Sequence, residues 1–204
     1  MTGKTDSDAP GGARKLGHED TRGPLVRHDS VACEPTEGVC RVQRSDAAEA
    51  RPGLGRAPGF VPVGGWYNSE PFSLSDLRGR VVLVNFWVHS CVNCHNSLPT
   101  LRRWYGVYAS AGLEIVGVHT PEFESDKDPE ALAAAIERDG VRWPVFQDNA
   151  YATWDAYDNR AWPTFYLLDR AGVIRAVHTG EISERFPDGI EVLEAGFSDL
   201  LTAG

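Results

Sequence analysis

The stretch RVVLVNFWVHSCVNCH (residues 80–95) decides the fold. Residues 80–88 form a nearly continuous run of β-branched, aliphatic and aromatic residues, which is typical of a strand buried on both faces. Apolar side chains then recur at helical spacing over residues 95–112, a segment that ends on a glycine. Two cysteines, Cys91 and Cys94, therefore lie where a buried strand turns into a long helix.

Downstream of this stretch, strand and helix patterns alternate along the chain. The predicted elements are a strand over residues 113–120, a helix over 129–140, a strand over 143–148, a short helix over 151–157, a β-hairpin over 164–169 and 173–180, and a closing helix over 191–201. Pro99 lies inside the first helix and is expected to kink it. Strands that alternate with helices form parallel crossovers, and a terminal hairpin adds antiparallel strands. The sequence thus predicts an α/β fold with a central mixed β-sheet and helices on both faces.

Residues 1–58 differ in composition from the rest of the 204-residue chain. They are rich in Gly, Pro, Ser and Asp, and bury too little apolar surface to offset the entropy of ordering. We expect a disordered N-terminal extension over residues 1–58 and one folded domain over residues 59–204. The formal charge of −9 lies entirely in residues 59–204, because the extension holds nine basic and nine acidic side chains. An acidic domain argues against nucleic acid as a partner, since binding phosphate needs a basic surface.

The sequence contains neither a membrane-span pattern nor an export signal. No run approaches the ~20 apolar residues of a membrane helix. The first twenty residues lack the apolar segment of a secretory signal. We therefore expect a cytoplasmic protein, in a compartment where structural disulfides are uncommon and cysteines more often serve redox chemistry or metal binding.

The motif SCVNCH (residues 90–95) fits two different chemistries. C-x-x-C-H attaches c-type haem, but haem needs an axial ligand beyond His95, and the only Met of the chain is Met1. A redox dithiol fits the strand-to-helix context better, because thiols at a helix start face the positive end of the helix dipole and unpaired N–H groups. Cys91, nearer the helix start, is the predicted nucleophile, and Cys94, one turn later, is the predicted resolving thiol.

Several separated motifs over residues 60–180 resemble one family. VVLVNFW before the dithiol, Pro99 after it and WPTFYLLD (residues 162–169) occur in the order found in thioredoxin-fold oxidoreductases. GVHTPEFE (residues 117–124) and residues 148–169 resemble in particular the TlpA/ResA/DipZ-type branch, a redoxin group similar to AhpC/TSA proteins. The resemblance implies a thioredoxin-like fold and a thiol–disulfide oxidoreductase that acts on proteins.

The resemblance also implies roles for residues outside the dithiol. Pro163 is expected to form a cis peptide bond that faces the dithiol, with Trp162 lining the substrate-docking groove; the alternative is an ordinary Trp-Pro turn. Glu122 matches a semi-buried acidic residue that takes the proton from Cys94, and the alternative is a solvated loop carboxylate. Asn85 stands where thioredoxin has an Asp-bearing strand, which favours Glu122 as the proton acceptor.

Other side chains carry weaker signals. His89 and His95 flank the dithiol and are interpreted as exposed, with tuning of the Cys91 pKa as the alternative. An aromatic series is interpreted as core and groove wall rather than as a ligand cage. Its members are Trp154, Tyr157, Trp162, Phe165 and Tyr166.

Cys33 and Cys40 lie in the extension, outside the resemblance. Their spacing is wider than the usual spacing of zinc ligands, although a four-thiolate zinc site with Cys91 and Cys94 is one alternative. A disulfide that exchanges with the dithiol is another. Two idle reduced thiols are the main interpretation.

Taken together, these features predict a monomeric thiol–disulfide oxidoreductase that needs no metal or organic cofactor. Its expected partners are protein disulfide or dithiol substrates and an upstream reductase. A peroxiredoxin-like peroxidase is one alternative, but Val88 stands where that class needs Thr or Ser. A non-catalytic binding module is another, although a scaffold needs neither the dithiol nor Pro163. EISERFPDG (residues 181–189) departs from the usual family ending, so the last helix is expected to pack differently.

Overall fold

A computed structural model describes the backbone of residues 31–33 and 40–42 and all of residues 54–202. The chain divides into two units. In the first unit, strands β1 (Val31–Cys33) and β2 (Cys40–Val42) pair antiparallel, with Cys33 opposite Cys40. The other residues of the expected extension before residue 54 lie outside the described part. The interpretations of the two thiols stay predictions.

The second unit is built on one six-stranded sheet with the strand order β3-β6-β5-β4-β7-β8. The strands are β3 (Trp66–Tyr67), β4 (Val81–Trp87), β5 (Leu113–His119), β6 (Val145–Gln147), β7 (Thr164–Leu168) and β8 (Ile174–Thr179). Strand β4 pairs parallel with β5 and antiparallel with β7, so the sheet is mixed, as predicted. Every residue of β4 is buried, which explains its unbroken apolar pattern.

Four α-helices complete the part of the chain between residues 54 and 202. They are α1 (Val92–Tyr108), α2 (Pro129–Arg138), α3 (Ala152–Ala156) and α4 (Asp188–Thr202). Short 3-10 helices span Leu74–Leu77, Ala109–Ala111 and Glu124–Lys127. Helix α1 continues through Pro99 without interruption.

The core has two sides because successive side chains of β4 point to opposite faces of the sheet. Leu83 and Trp87 pack in a cluster with apolar residues of α1, α2 and α4. Val84 and Phe86 pack in a second cluster with residues of α3. Helices therefore lie on both faces, which confirms the predicted architecture. The predicted core aromatic residues Trp154, Tyr157, Phe165 and Tyr166 are buried, and Trp162 is partly buried.

The structure differs from the sequence predictions at several element boundaries. Helix α1 begins at Val92 instead of residue 95, because Cys91 serves as its N-cap. Strand β3 was not predicted, since two residues are too few to show a period, and it is fixed by pairing with β6. Residues 54–57, assigned by the sequence to the extension, hydrogen-bond to the β7–β8 turn; for example, the Leu54 N–H donates to the Ile174 carbonyl at 2.9 Å.

Phe197→Ala should lower the free energy of unfolding by about 3–5 kcal/mol, because a fully buried ring is lost and a cavity remains. The Phe197 ring meets Trp104 of α1 edge to face at 4.9 Å, so it joins α4 to α1. Urea unfolding followed by circular dichroism measures the loss. Val107→Ala on the exposed side of α1 is the control and should change stability by less than about 0.5 kcal/mol. Equal losses in the two variants would contradict this packing.

Candidate active site

The two cysteines lie at the junction between the central strand and α1. Strand β4 ends at Trp87, and Cys91 occupies the N-cap position of α1 with extended backbone angles of φ −84° and ψ 121°. The Cys94 backbone N–H donates a hydrogen bond to the Cys91 sulfur at 3.4 Å. A sulfur thus fills the position that Ser or Asp usually occupies at a helix start, where it meets unpaired N–H groups.

The environments of the two thiols push their pKa values in opposite directions. The pKa of Cys91 falls to about 6, chiefly because the Cys94 side chain hydrogen-bonds to its sulfur, with further help from backbone N–H groups of Cys94 and Asn93. Partial burial and the negative charge of Glu122 oppose this effect. Burial raises the pKa of Cys94, which is only 2% exposed, and its hydrogen bond to Cys91 raises it further. At neutral pH, Cys91 is therefore the thiolate and Cys94 the thiol.

Trp162 and Pro163 lie at the same edge of the sheet as the dithiol. The Trp162–Pro163 peptide bond is cis. Pro163 directly precedes β7, whose Thr164 pairs with Phe86 near the end of β4. Trp162 is partly buried and packs against Trp154, with ring centroids 4.4 Å apart.

Glu122 lies in the loop after β5 and is exposed, which corrects the expectation of a semi-buried carboxylate. Its backbone is nevertheless fixed, because the N–H groups of Glu122 and Phe123 donate to the buried carboxylate of Asp126 at 3.0 and 2.8 Å. Asp126 thus fixes the backbone of this turn, and the Glu122 side chain is exposed to solvent. The charge of Glu122 still raises the pKa of both Cys91 and Cys94.

A pair of stacked histidines lies behind the dithiol. The rings of His89 and His119 are 5.1 Å apart and 16° from parallel, and Nδ1 of His89 lies 3.0 Å from Nε2 of His119. The His89 side chain is only 16% exposed, so the interpretation as an exposed histidine was wrong. Burial lowers the pKa of His119 to about 3, and it also lowers the pKa of His89. Both rings are therefore neutral at physiological pH.

Sequence reasoning missed His119 although it lies within the quoted GVHTPEFE motif. Its signal was a polar residue at the end of the apolar run IVGV (residues 115–118), and it is fully buried. Asp126, also missed, is 3.8 Å from Nε2 of His89 through its second carboxylate oxygen. His119 therefore contacts the loop that leads to Cys91, and Asp126 holds the loop of Glu122.

His95 has a structural role next to the resolving thiol. Its Nε2 donates to the His89 carbonyl at 2.7 Å, since a carbonyl only accepts. Its Nδ1 lies 3.3 Å from the Asp139 carboxylate at the end of α2. Both ring nitrogens therefore have partners within the domain, and His95 is not the exposed side chain that the sequence suggested.

The remaining site prediction concerns Asn85 in the middle of β4. It is 2% exposed, and its side-chain oxygen has no hydrogen-bond partner. An amide does not take up a proton at neutral pH, so Asn85 is not a proton acceptor for Cys94. Within the described residues, no group of three or more His, Cys, Asp or Glu side chains is placed to hold a metal ion.

The profile of the AhpC/TSA family matches residues 57–177. The chain belongs to the AhpC/TSA family. The chain is similar to protein DipZ of Mycobacterium tuberculosis, at 41% identity over 140 residues, covering 67% of this chain and 20% of DipZ. It is also similar to the thiol-disulfide oxidoreductase ResA of Halalkalibacterium halodurans, at 33% identity over 57% of this chain and 63% of ResA.

A solved structure with a similar fold is a thiol-disulfide isomerase from Corynebacterium glutamicum. It has a TM-score of 0.61 at 28% identity, over 71% of this chain and 96% of that protein. A thioredoxin-like superfamily protein also matches, with a TM-score of 0.64 at 28% identity over 72% of this chain and 96% of that protein, and these matches confirm the predicted thioredoxin-like fold. ResA and the Corynebacterium protein are named as a thiol-disulfide oxidoreductase and a thiol-disulfide isomerase, which is the enzyme class predicted from the sequence. The matched region spans only a fifth of DipZ.

The lowered pKa of Cys91 should appear directly in a thiolate titration. Absorbance at 240 nm of the reduced protein should rise with a midpoint near pH 6, because the thiolate absorbs there and the thiol does not. Cys94→Ala should move the midpoint upward, since it removes the side-chain hydrogen bond that contributes most. Cys91→Ser, which lacks this thiol, is the control and should show no inflection near pH 6. A midpoint near 8.5 in the parent protein would contradict the geometry.

Proposed function

We propose that this protein exchanges disulfides with protein substrates through Cys91 and Cys94. The observation that supports the proposal most directly is the difference between the two thiols. Cys91 is partly exposed with a lowered pKa, and Cys94 is buried one helical turn away with a raised pKa. An accessible thiolate backed by a protonated thiol is the arrangement that two-step disulfide exchange requires.

The reaction proceeds in two balanced steps. The Cys91 thiolate attacks one sulfur of a substrate disulfide, forms a mixed disulfide and releases the other substrate sulfur as a thiolate. Cys94 then gives up its proton and attacks the Cys91 sulfur, which releases the second substrate thiol and leaves a Cys91–Cys94 disulfide. Two electrons pass to the substrate, and a dithiol reductase supplies two further electrons that reopen the Cys91–Cys94 disulfide.

Three further residues take part in this proposal. Trp162 and Pro163 lie at the dithiol edge of the sheet, where an extended substrate segment would dock. Glu122 takes the proton of Cys94 in the second step, because it is the acidic residue whose charge acts on both thiols. Its exposure gives the proton a direct route to solvent.

A peroxidase is the alternative from the same family. It is less well supported, because Val88 stands three residues before Cys91 and Cys94 already contacts the Cys91 sulfur. Hydrogen peroxide consumption by the reduced protein separates the two activities.

The proposal extends to the class of partner and to the location of the protein. Protein disulfides or dithiols are the substrate class, and a cytoplasmic location and a monomeric state stay predictions from the sequence. No helix within the described residues is long and apolar enough to cross a membrane.

Substitution of each cysteine should give a different product. The parent protein should reduce insulin disulfides in the presence of dithiothreitol, and Cys91→Ser should reduce the rate to background because the attacking sulfur is gone. Cys94→Ser, reduced beforehand and freed of dithiothreitol, should accumulate a mixed disulfide with insulin, detected as a covalent adduct on a non-reducing gel. If Cys91→Ser kept the parent rate, the assignment of the nucleophile would be wrong.

Glu122→Gln should slow the second step by about 100-fold or more, as expected when a general base is removed. The decay of a pre-formed mixed disulfide, followed by stopped-flow quenching, measures this step alone. Glu124→Gln is a matched control, because Glu124 is an exposed carboxylate two residues away that pairs with Lys127 at 2.7 Å. Equal decay rates in the two variants would exclude Glu122 as the proton acceptor.

A further inference from the structure

An open pocket of about 560 Å³ lies next to the dithiol. Asn93, which stands between the two cysteines, forms part of its wall. The rest of the wall comes from the end of β8 and the segment that leads into α4, over residues 178–189. The pocket thus reaches the first turn of α1, and its Gly180 donates a backbone hydrogen bond to the Pro163 carbonyl at 2.8 Å. Its volume is in the range of ordinary ligand pockets.

The segment that forms the pocket is fastened to the dithiol helix. The Ile182 N–H donates to the Ser97 hydroxyl oxygen at 3.1 Å, and the Asn96 amide donates to the Glu181 carboxylate at 2.9 Å. Ile182 itself is fully buried in the core. The pocket therefore keeps a fixed position relative to Cys91, as a substrate subsite must.

The exposed apolar surface of the pocket is aromatic. Phe186 is 49% exposed, and the Arg185 guanidinium lies 5.5 Å from the centre of its ring. Pro187 adds a second apolar wall. A ring and a guanidinium plane both stack favourably on an incoming aromatic ring.

The charged residues that line the pocket disfavour acidic side chains. The two carboxylates of Glu181 and Asp188 outnumber the one guanidinium of Arg185, which lies over the Phe186 ring. Both carboxylate oxygens of Glu181 are already bound, by Asn96 and by the Ser183 hydroxyl at 2.6 Å, so they offer little to a ligand. The apolar surface of Phe186 and Pro187 is what remains to receive a ligand, and it favours an aromatic side chain.

The floor of the pocket depends on one glycine. A Cβ at Gly189 would come within 2.4 Å of Nε2 of His178, so any larger residue there would displace the His178 ring. The glycine lets the start of α4 approach β8 closely, and this approach closes the floor.

The family match ends at residue 177, immediately before the residues that form the pocket wall. We propose that this pocket binds an aromatic side chain adjacent to the cysteine of the protein substrate that Cys91 attacks. The proposal rests on the proposed disulfide exchange. The matched region then supplies the chemistry, and residues 178–189 select the substrate.

Single-cysteine peptides joined to thionitrobenzoate test the preference. Attack of Cys91 on the peptide sulfur releases coloured thionitrobenzoate and leaves the peptide on the enzyme, so the release rate reports the first step alone. The peptides carry Phe, Ala or Asp directly before or directly after the cysteine. The full chain is used with Cys33→Ser and Cys40→Ser, so that only the dithiol reacts.

We expect a second-order rate constant about 5- to 10-fold higher for a Phe peptide than for the matching Ala peptide, and lowest for Asp. Phe186→Ala should bring the ratio of Phe to Ala below about 2. Val192→Ala on α4 is the matched control, because Val192 is also 49% exposed but lies outside the pocket, and it should keep the parent ratio.

The possible outcomes separate this inference from the proposed function. A parent protein that reduces insulin and attacks every peptide at the same rate would overturn the aromatic subsite and leave disulfide exchange standing. A Phe preference that survives in Phe186→Ala would overturn it too, as would a preference for Asp. A parent protein that attacks no peptide and reduces no insulin would contradict the proposed function itself.

Discussion

The hydrogen bonds from Cys94 to the Cys91 sulfur are the interactions on which the site depends. They exist because β4 is buried to its end at Trp87 and the chain must then turn into α1, with Cys91 as the N-cap. The same contact lowers the pKa of one thiol and raises that of the other. The first turn of α1 therefore determines which thiol attacks first. The cis Trp162–Pro163 bond and the Glu122 loop lie near this turn.

The loop before the dithiol is held to the end of β5 through two neutral histidines. The backbone N–H and Nδ1 of His89 both face Nε2 of His119, at 3.3 and 3.0 Å. Nε2 of His119 accepts from both donors, so His119 carries its own proton on Nδ1. Asp126 separately accepts from the backbone N–H of Glu122. The loop before Cys91 thus depends on a core imidazole, whereas the Glu122 loop depends on Asp126.

The sequence predicted those features whose signals are local. A buried strand, two thiols at a helix start and a Trp-Pro pair each show in a few adjacent letters, and the structure places them at one edge of the sheet. His119 was missed because its role depends on His89, thirty residues earlier. The exposure of Glu122 was missed for a similar reason, since Asp126 rather than Glu122 turns inward. Long-range pairing, rather than propensity, decides both cases.

A stabilised thiolate has opposite effects on the two steps of the reaction. With a pKa of about 6, Cys91 is roughly ten-elevenths thiolate at pH 7, so attack begins without a base. A stable thiolate is also a good leaving group, which speeds the attack of Cys94 on the mixed disulfide. The barrier then lies in removing the proton of Cys94, whose pKa burial has raised. The lower the pKa of Cys91, the more the rate of the complete cycle depends on a proton acceptor beside Cys94.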